Sequence, residues 1–67
     1  MSLFQEIMHA QSQVADLGNL ARVTLAKAED AGLDDSVEAL HLIVGQLINA
    51  EEALANAMSL LPDELRR

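Results

Sequence analysis

The sequence predicts an all-α protein: an antiparallel two-helix hairpin that dimerises into a four-helix bundle, with residues 1–67 as one domain. Apolar residues recur every three or four positions along two long segments, which is the spacing of one helix face. A single break around Gly32 separates these segments. The chain has only 67 residues and no cysteine, so it lacks disulfides and thiolate metal sites, and we expect association with another chain to add burial.

Helix one is predicted over about residues 3–31. It begins with Ser2-Leu3-Phe4-Gln5, a capping box in which the Ser2 hydroxyl accepts an early N–H and Gln5 reaches back. Gly32 lies where a left-handed residue would end the helix. The predicted buried face comprises Leu3, Ile7, Ala10, Val14, Leu17, Ala21, Leu25 and Ala28.

Helix two is predicted over about residues 35–61, after a turn at 32–34. Asp34 or Asp35 is expected to cap it, and Asp35-Ser36-Val37-Glu38 forms a second capping box. Pro62 cannot continue the helix, so residues 62–67 are predicted to form a C-terminal turn. The predicted buried face comprises Val37, Leu40, Val44, Leu47, Leu54, Met58 and Leu61, interrupted by Glu51.

Two features of the helix interiors admit more than one interpretation. Gly18 and Gly45 fall at the same level of the hairpin, although each costs up to about 1 kcal/mol relative to alanine. They mark either a close helix crossing or a notch for a ligand. Glu51 is either a buried specificity device or a residue at the edge of the apolar stripe, and we expect the edge.

Both helices carry more apolar residues than one contact between them can bury. A second copy related by twofold symmetry would cover this surplus, with a heteromeric protein partner as the alternative. The sequence leaves open whether the dimer is parallel or antiparallel. The predicted dimer interface comprises Leu20, Val23, Ile43, Ile48, Ala50 and Ala57.

Charge and composition exclude several classes of function. Eleven acidic residues against four basic ones give a formal net charge of -7, which argues against a nonspecific nucleic-acid binder or a binder of anionic membranes. No secretory signal or membrane-spanning stretch is recognisable, so we expect a cytoplasmic protein. No arrangement of nucleophile, base and acid and no phosphate-binding loop is recognisable, so we expect no enzyme activity and no cofactor.

Two surfaces are candidates for binding a protein partner. Acidic residues gather around the turn, where they suit helix capping, solubility or docking of a basic partner. Apolar residues converge at the opposite end, where the first helix begins and the second ends, which we call the open end. The predicted partner-binding residues there are Phe4, Met8, Met58, Leu61 and Leu65.

Two Glu-x-x-His pairs are the only pattern that suggests metal chemistry. Glu6 and His9 form one pair, and Glu38 and His41 form the other, with the spacing that places both ligands on one helix face in di-iron bundles. Within one hairpin the pairs lie near opposite ends, and only an antiparallel dimer could bring them together. We therefore predict solvated helix faces and no metal site.

The layout of a short, capped helical hairpin with surplus apolar surface resembles the Rop-type RNA-regulatory dimers. The resemblance implies binding of paired RNA loops by polar and basic side chains of helix one. In this chain, that helix offers Arg22 and Lys27 as cations, together with Gln5, Gln11, Gln13 and Asn19. The run from Ala39 to Leu54 is also similar to small pseudomonad helical-hairpin domains of unknown function, which implies no activity.

These observations together predict a noncatalytic, small regulatory or adaptor protein that self-associates and binds a protein partner. The alternatives are a Rop-like RNA-binding regulator and a metal-binding helical bundle.

Overall fold

The computed structural model describes residues 2–66; Met1 and Arg67, which the predicted domain includes, lie outside the described residues. Helix α1 spans Leu3–Asp30, helix α2 spans Asp34–Ser59, and a short 3-10 helix follows at Asp63–Leu65. The two long helices contact each other, and the described part of the chain contains no strand. The prediction of an all-α helical hairpin is confirmed. The Cα atoms extend over 51 × 17 × 11 Å, so the molecule is a narrow rod.

The start of α1 forms the capping box that the sequence predicts. The Gln5 backbone N–H donates to the Ser2 hydroxyl oxygen at 3.1 Å, and the Ser2 backbone N–H donates to Gln5 Oε1 at 3.4 Å. Both bonds satisfy donors that the first helical turn would otherwise leave without partners. The first element therefore begins where the sequence places it.

The turn between the helices is a Schellman motif centred on Gly32. The Leu33 N–H donates to the Ala28 carbonyl and the Gly32 N–H donates to the Glu29 carbonyl, each at 3.1 Å. Gly32 has φ +71°, a left-handed conformation that costs a residue with a Cβ about 1–2 kcal/mol. The prediction that Gly32 ends the first helix is confirmed.

The predicted cap of α2 is wrong. The N-cap residue is Leu33, which makes no side-chain capping bond, and both Asp34 and Asp35 lie inside the first turn. The Schellman motif brings the chain into helical geometry directly after Leu33, and the Val37 N–H already donates to the Leu33 carbonyl at 2.9 Å. The two aspartates therefore act on the positive end of the helix dipole rather than as caps.

Helix α2 ends two residues earlier than predicted, at Ser59, and the chain turns at Pro62 into the 3-10 helix. This confirms a final turn after the proline. The Arg66 guanidinium donates to the Leu61 carbonyl at 2.9 Å and to the Ser59 carbonyl at 2.6 Å, and lies 4.0 Å from Asp63. These bonds attach the terminal turn to the end of α2.

The contact between the helices follows a strict alternation of three and four residues. We call it the interhelical seam; all its residues are buried or half-buried. On α1 it comprises Phe4, Ile7, Gln11, Val14, Gly18, Ala21, Leu25 and Ala28. On α2 and the residues just after it, the seam comprises Val37, Leu40, Val44, Leu47, Glu51, Leu54, Met58 and Leu61.

The predicted face of α1 is therefore partly wrong. Leu3 and Leu17 are 48% and 53% exposed, whereas Phe4, Gln11 and Gly18 occupy the seam. Between Leu3 and Leu17 the predicted face takes the residue just before a seam position at every second step, and the two four-residue steps from Leu17 to Leu25 then return it to the seam register. A partner helix instead selects the regular three-four repeat, even where its residues are polar or lack a side chain.

The core of the hairpin is thin. Ala21 and Ala28 are its buried apolar residues, and no large side chain in the described part of the chain is fully buried. The accessible surface amounts to 4907 Å². Large apolar side chains remain in solvent along both helices, among them Leu20 at 62% and Leu42 at 66% exposure. A single hairpin thus leaves many of its large apolar side chains uncovered.

Candidate interaction surface

One face of the hairpin, toward the turn, carries a continuous apolar depression. Two adjoining hollows share Thr24, Leu40 and Ile43 and merge into one surface, which we call the apolar groove. Its polar side chains are Thr24, Lys27 and Ser36. Its apolar lining comprises Leu17, Leu20, Ala21, Ala28, Leu33, Ala39, Leu40, Ile43 and Leu47.

Helix periodicity explains why the groove forms on this face. Leu17, Leu20, Thr24 and Lys27 follow a three-four spacing on α1, directly beside the seam. Leu17, Leu20 and Ile43 are 53%, 62% and 44% exposed, so their side chains form the walls of the groove rather than its core. A hairpin offers each helix only one neighbour, and the stripe beside the seam has none.

The predicted dimer interface divides between this face and other parts of the surface. Leu20 and Ile43 line the apolar groove. Ala50 and Ala57 lie on the same stripe of α2, seven and fourteen residues beyond Ile43. Val23 and Ile48 are 53% and 40% exposed and line neither hollow.

The predicted partner-binding residues at the open end also divide into two sets. Phe4, Met58 and Leu61 are half-buried at the end of the seam. Met8 and Leu65 are 50% and 45% exposed. Leu60, at 82%, and Leu3, at 48%, are exposed at the same end, so the apolar contact surface there extends beyond the predicted residues.

The missing side chain of Gly18 leaves a notch, but two side chains of the same protein lie in it. A Cβ at this position would lie 3.1 Å from Arg22 Nη1 and 3.5 Å from Glu51 Oε1, so both charged groups occupy the space that the glycine leaves. Gly45 lies in open space, with nothing within 4 Å of such a Cβ. The two glycines therefore do not form a close crossing of backbones, nor a shared ligand notch.

The expected position of Glu51 at the edge of the stripe is wrong. Glu51 is half-buried and occupies a seam position between Leu47 and Leu54. Gly18 on the other helix provides the room that its carboxylate needs. A regular seam register and a small opposing residue together bring a charge to a position where an apolar residue is usual.

Both histidines, their glutamate partners and the acidic residues near the turn lie on the exposed surface. Glu6, His9, Glu38 and His41 are all exposed, and within residues 2–66 no three potential ligands of the His, Cys, Asp and Glu types cluster as a metal site would require. The acidic residues near the turn are likewise exposed: Glu29, Asp30, Asp34, Asp35 and Glu38. Asp34 and Asp35 also have a structural role in the first turn of α2.

The two cations of α1 point in different directions. Lys27 lines the apolar groove, whereas the Arg22 guanidinium lies over Gly18 beside Glu51. They do not form one basic face.

The sequence prediction did not assign Leu17, Thr24 and Ser36 to an exposed groove. The signal that marks these positions is a row with three-four spacing directly beside the seam on each helix.

Comparison with known proteins finds no match: no protein-family model, no curated protein and no solved structure is similar to this chain. Within the described residues, neither helix combines the length and the apolarity needed to cross a membrane.

Proposed function

We propose that this chain is a noncatalytic, cytoplasmic regulatory or adaptor protein that self-associates and binds a protein partner. The apolar groove is the observation that carries the proposal. It places Leu17, Leu20 and Ile43 in solvent on a hairpin whose buried apolar residues, within the part that the structure describes, are two alanines. Soluble chains rarely leave a continuous apolar face uncovered, because covering it gains about 25 cal/mol for each Å² removed from water.

The chemistry of the groove supports binding rather than catalysis. Its polar side chains are Thr24, Lys27 and Ser36, and its lining includes neither a carboxylate nor an imidazole. A hydroxyl without a neighbouring base is a poor nucleophile at neutral pH. An apolar surface with few polar groups instead suits the face of another helix.

Self-association is tested by mass in solution. Light scattering with refractive-index detection suits a chain that lacks tryptophan and tyrosine. We expect a dimer for the native protein and a monomer for Ile43→Lys, because the new charge would be buried in the interface. Leu42→Lys makes the same chemical change at a neighbouring residue that is 66% exposed and outside the groove, and it should remain dimeric. A native protein that stays monomeric at high concentration would contradict self-association.

Partner binding is tested at the open end. Met8 and Leu65 are exposed there and lie outside the groove, so self-association leaves them available. We expect Met8→Glu and Leu65→Glu to lower the affinity for a purified partner, measured by calorimetry, while leaving the mass of the dimer unchanged. Leu42→Glu is the matched control. Equal affinity for all three variants would show that this end is not the contact surface.

The alternative functions have less support. A Rop-like regulator would present its cations on one face toward RNA, but Arg22 and Lys27 lie on different sides of α1. Binding of paired RNA loops that weakens with salt, and weakens further in Arg22→Gln and Lys27→Gln, would favour this alternative. A metal-binding bundle would show stoichiometric metal in protein purified without a histidine tag.

A further inference from the structure

We infer that the occupant of the apolar groove is a second copy of this chain in antiparallel orientation, with α1 packed on α1 and α2 on α2, so that Lys27 of each copy faces Glu6 of the other. This inference rests on the proposed self-association and adds its geometry. It also assigns to Lys27 and Glu6 a role in selecting the orientation.

The accessible area of the hairpin fits the burial that a stable dimer needs. A compact monomer of 7.2 kDa exposes about 4,100 Å², whereas this chain exposes 4907 Å². The excess of roughly 800 Å² is the share that each partner contributes to an interface of standard size. A second copy covering the groove face would bring the area per chain to that of a compact protein.

Twofold symmetry permits two ways to stack the groove faces. If the axis runs along the hairpin, both turns lie at the same end and α1 packs on α2 of the other copy. If the axis runs across the hairpin, the turns lie at opposite ends and each helix packs on its own copy in antiparallel orientation. The charges of the chain distinguish these arrangements.

The two ends of the hairpin carry different charges. The turn end bears Glu29, Asp30, Asp34 and Asp35, with Lys27 as the neighbouring cation. A parallel dimer would place two such acidic clusters side by side, within a Debye length of about 8 Å. An antiparallel dimer separates them by the length of a helix, about 40 Å, where salt screens their repulsion.

Lys27 and Glu6 are placed to pair in the antiparallel arrangement. Both are exposed, and both lie on the three-four row of α1 that includes Leu17 and Leu20. They are also equidistant from the midpoint of α1, which spans Leu3–Asp30. When two copies of α1 overlap fully in opposite directions, Lys27 of one copy comes level with Glu6 of the other, and symmetry produces this pair twice.

Side-chain size on α2 is complementary in the same arrangement. At about 1.5 Å rise per residue, the level of the α1 midpoint corresponds to residue 48 or 49 of α2. Leu47 then comes level with Ala50 of the other copy, and Leu40 with Ala57. Leu40, toward the turn, thus meets an alanine toward the open end, and Leu47 meets one near the middle of α2, which permits close packing of the two helices.

The orientation is tested by spin-label distances in the intact protein. The chain contains no cysteine, so Ala31→Cys provides a single labelled position at the turn end. We expect a distance between labels of about 40 Å, from the length of α1. A distance below about 20 Å would establish the parallel dimer and overturn the inference. Asn19→Cys, near the middle of α1 and facing away from the seam, is the control, for which both arrangements give a distance below about 30 Å.

The pair is tested by charge reversal. Lys27→Glu and Glu6→Lys should each weaken dimerisation roughly tenfold, since each reversal perturbs two symmetric pairs. The double variant preserves the net charge of -7 and should restore the native dissociation constant within about twofold. Ala26→Glu, an added acid on an exposed residue next to Lys27, should have no comparable effect.

The outcomes separate this inference from the proposed function. A dimer with a short Ala31 label distance would overturn the antiparallel geometry, and a dimer without rescue in the double variant would overturn the pairing of Lys27 with Glu6; either result would leave self-association standing. A monomeric mass for the native chain would overturn both, and would point to a heteromeric partner in the groove.

Discussion

At the scale of single residues, Gly18 and Gly45 differ in whether neighbouring side chains occupy the space that the glycine leaves. A Cβ on Gly45 meets nothing within 4 Å, whereas one on Gly18 would lie 3.1 Å from the Arg22 guanidinium. Glycine costs about 0.5–1 kcal/mol relative to alanine inside a helix. Only at Gly18 does the space left by the missing side chain serve other groups.

We therefore predict that Gly45→Ala raises the free energy of unfolding by about 0.5–1 kcal/mol. Gly18→Ala is the matched comparison and should gain less, because the Arg22 guanidinium, 3.1 Å from the new Cβ, must move aside. Urea unfolding followed by circular dichroism at one protein concentration measures both. A larger gain for Gly18→Ala would show that the guanidinium moves at no cost.

The seam position of Glu51 leads to a second prediction. Glu51→Leu should raise the free energy of unfolding by about 1 kcal/mol, because an apolar side chain at a half-buried position gains part of the roughly 1.5–3 kcal/mol of full burial. The partial loss of attraction to exposed Arg22 is smaller. Glu52→Leu changes the same residue type at an exposed neighbour and should stay within about 0.5 kcal/mol. A lower stability for Glu51→Leu would mean that the Glu51 carboxylate beside Gly18 stabilises the native register.

At the scale of elements, the two helix starts differ in how they are capped. Helix α1 has a complete capping box, whereas α2 follows a Schellman turn directly and has no side-chain cap. Local sequence predicts the first start because Ser2 and Gln5 bond only to each other's backbone. It fails at the second because the hydrogen bonds of the preceding helix end, through Gly32 and Leu33, set where α2 begins.

We predict that Ser2→Ala lowers the free energy of unfolding by about 1 kcal/mol through loss of the capping bond to Gln5. Ser12→Ala, an exposed position inside α1, removes the same hydroxyl and should be neutral or slightly stabilising, since alanine has the higher helix propensity. Thermal unfolding of both variants measures the difference. Equal stability of the two variants would show that the first turn frays in solution.

At the scale of the whole molecule, the thin core leads us to expect that stability depends on the proposed association. A dimer that unfolds to two chains gains stability with concentration by mass action. At about 0.7 kcal/mol of unfolding enthalpy per residue, a hundredfold rise in concentration should raise the Tm by about 10 °C. Calorimetry or circular dichroism across that range measures the shift. Ile43→Lys should show a lower Tm with no such dependence, and a constant Tm for the native protein would indicate unfolding of a monomer.

The hairpin as a whole could be predicted from sequence, but the rotation of its helices could not. The spacing of the apolar residues and the position of Gly32 were sufficient to predict two antiparallel helices. Leu17 and Glu51 were misplaced because each was assigned by its own hydrophobicity, whereas the seam is set by the register that both helices share. The groove could not be located until that rotation was known, because moving Leu17 out of the seam is what creates its wall.

The regular register of the seam also makes the length of the rod adjustable. Every seventh side chain returns to the same side of its helix, so one added period of seven residues in each arm would extend the molecule by about 10 Å and keep every face aligned. An insertion of four residues would instead rotate the distal half by roughly 40–50° and divide the groove from its continuation. The seven-residue period is thus the unit by which the hairpin can be lengthened. Hairpins of several lengths could then carry the same side chains on the same faces.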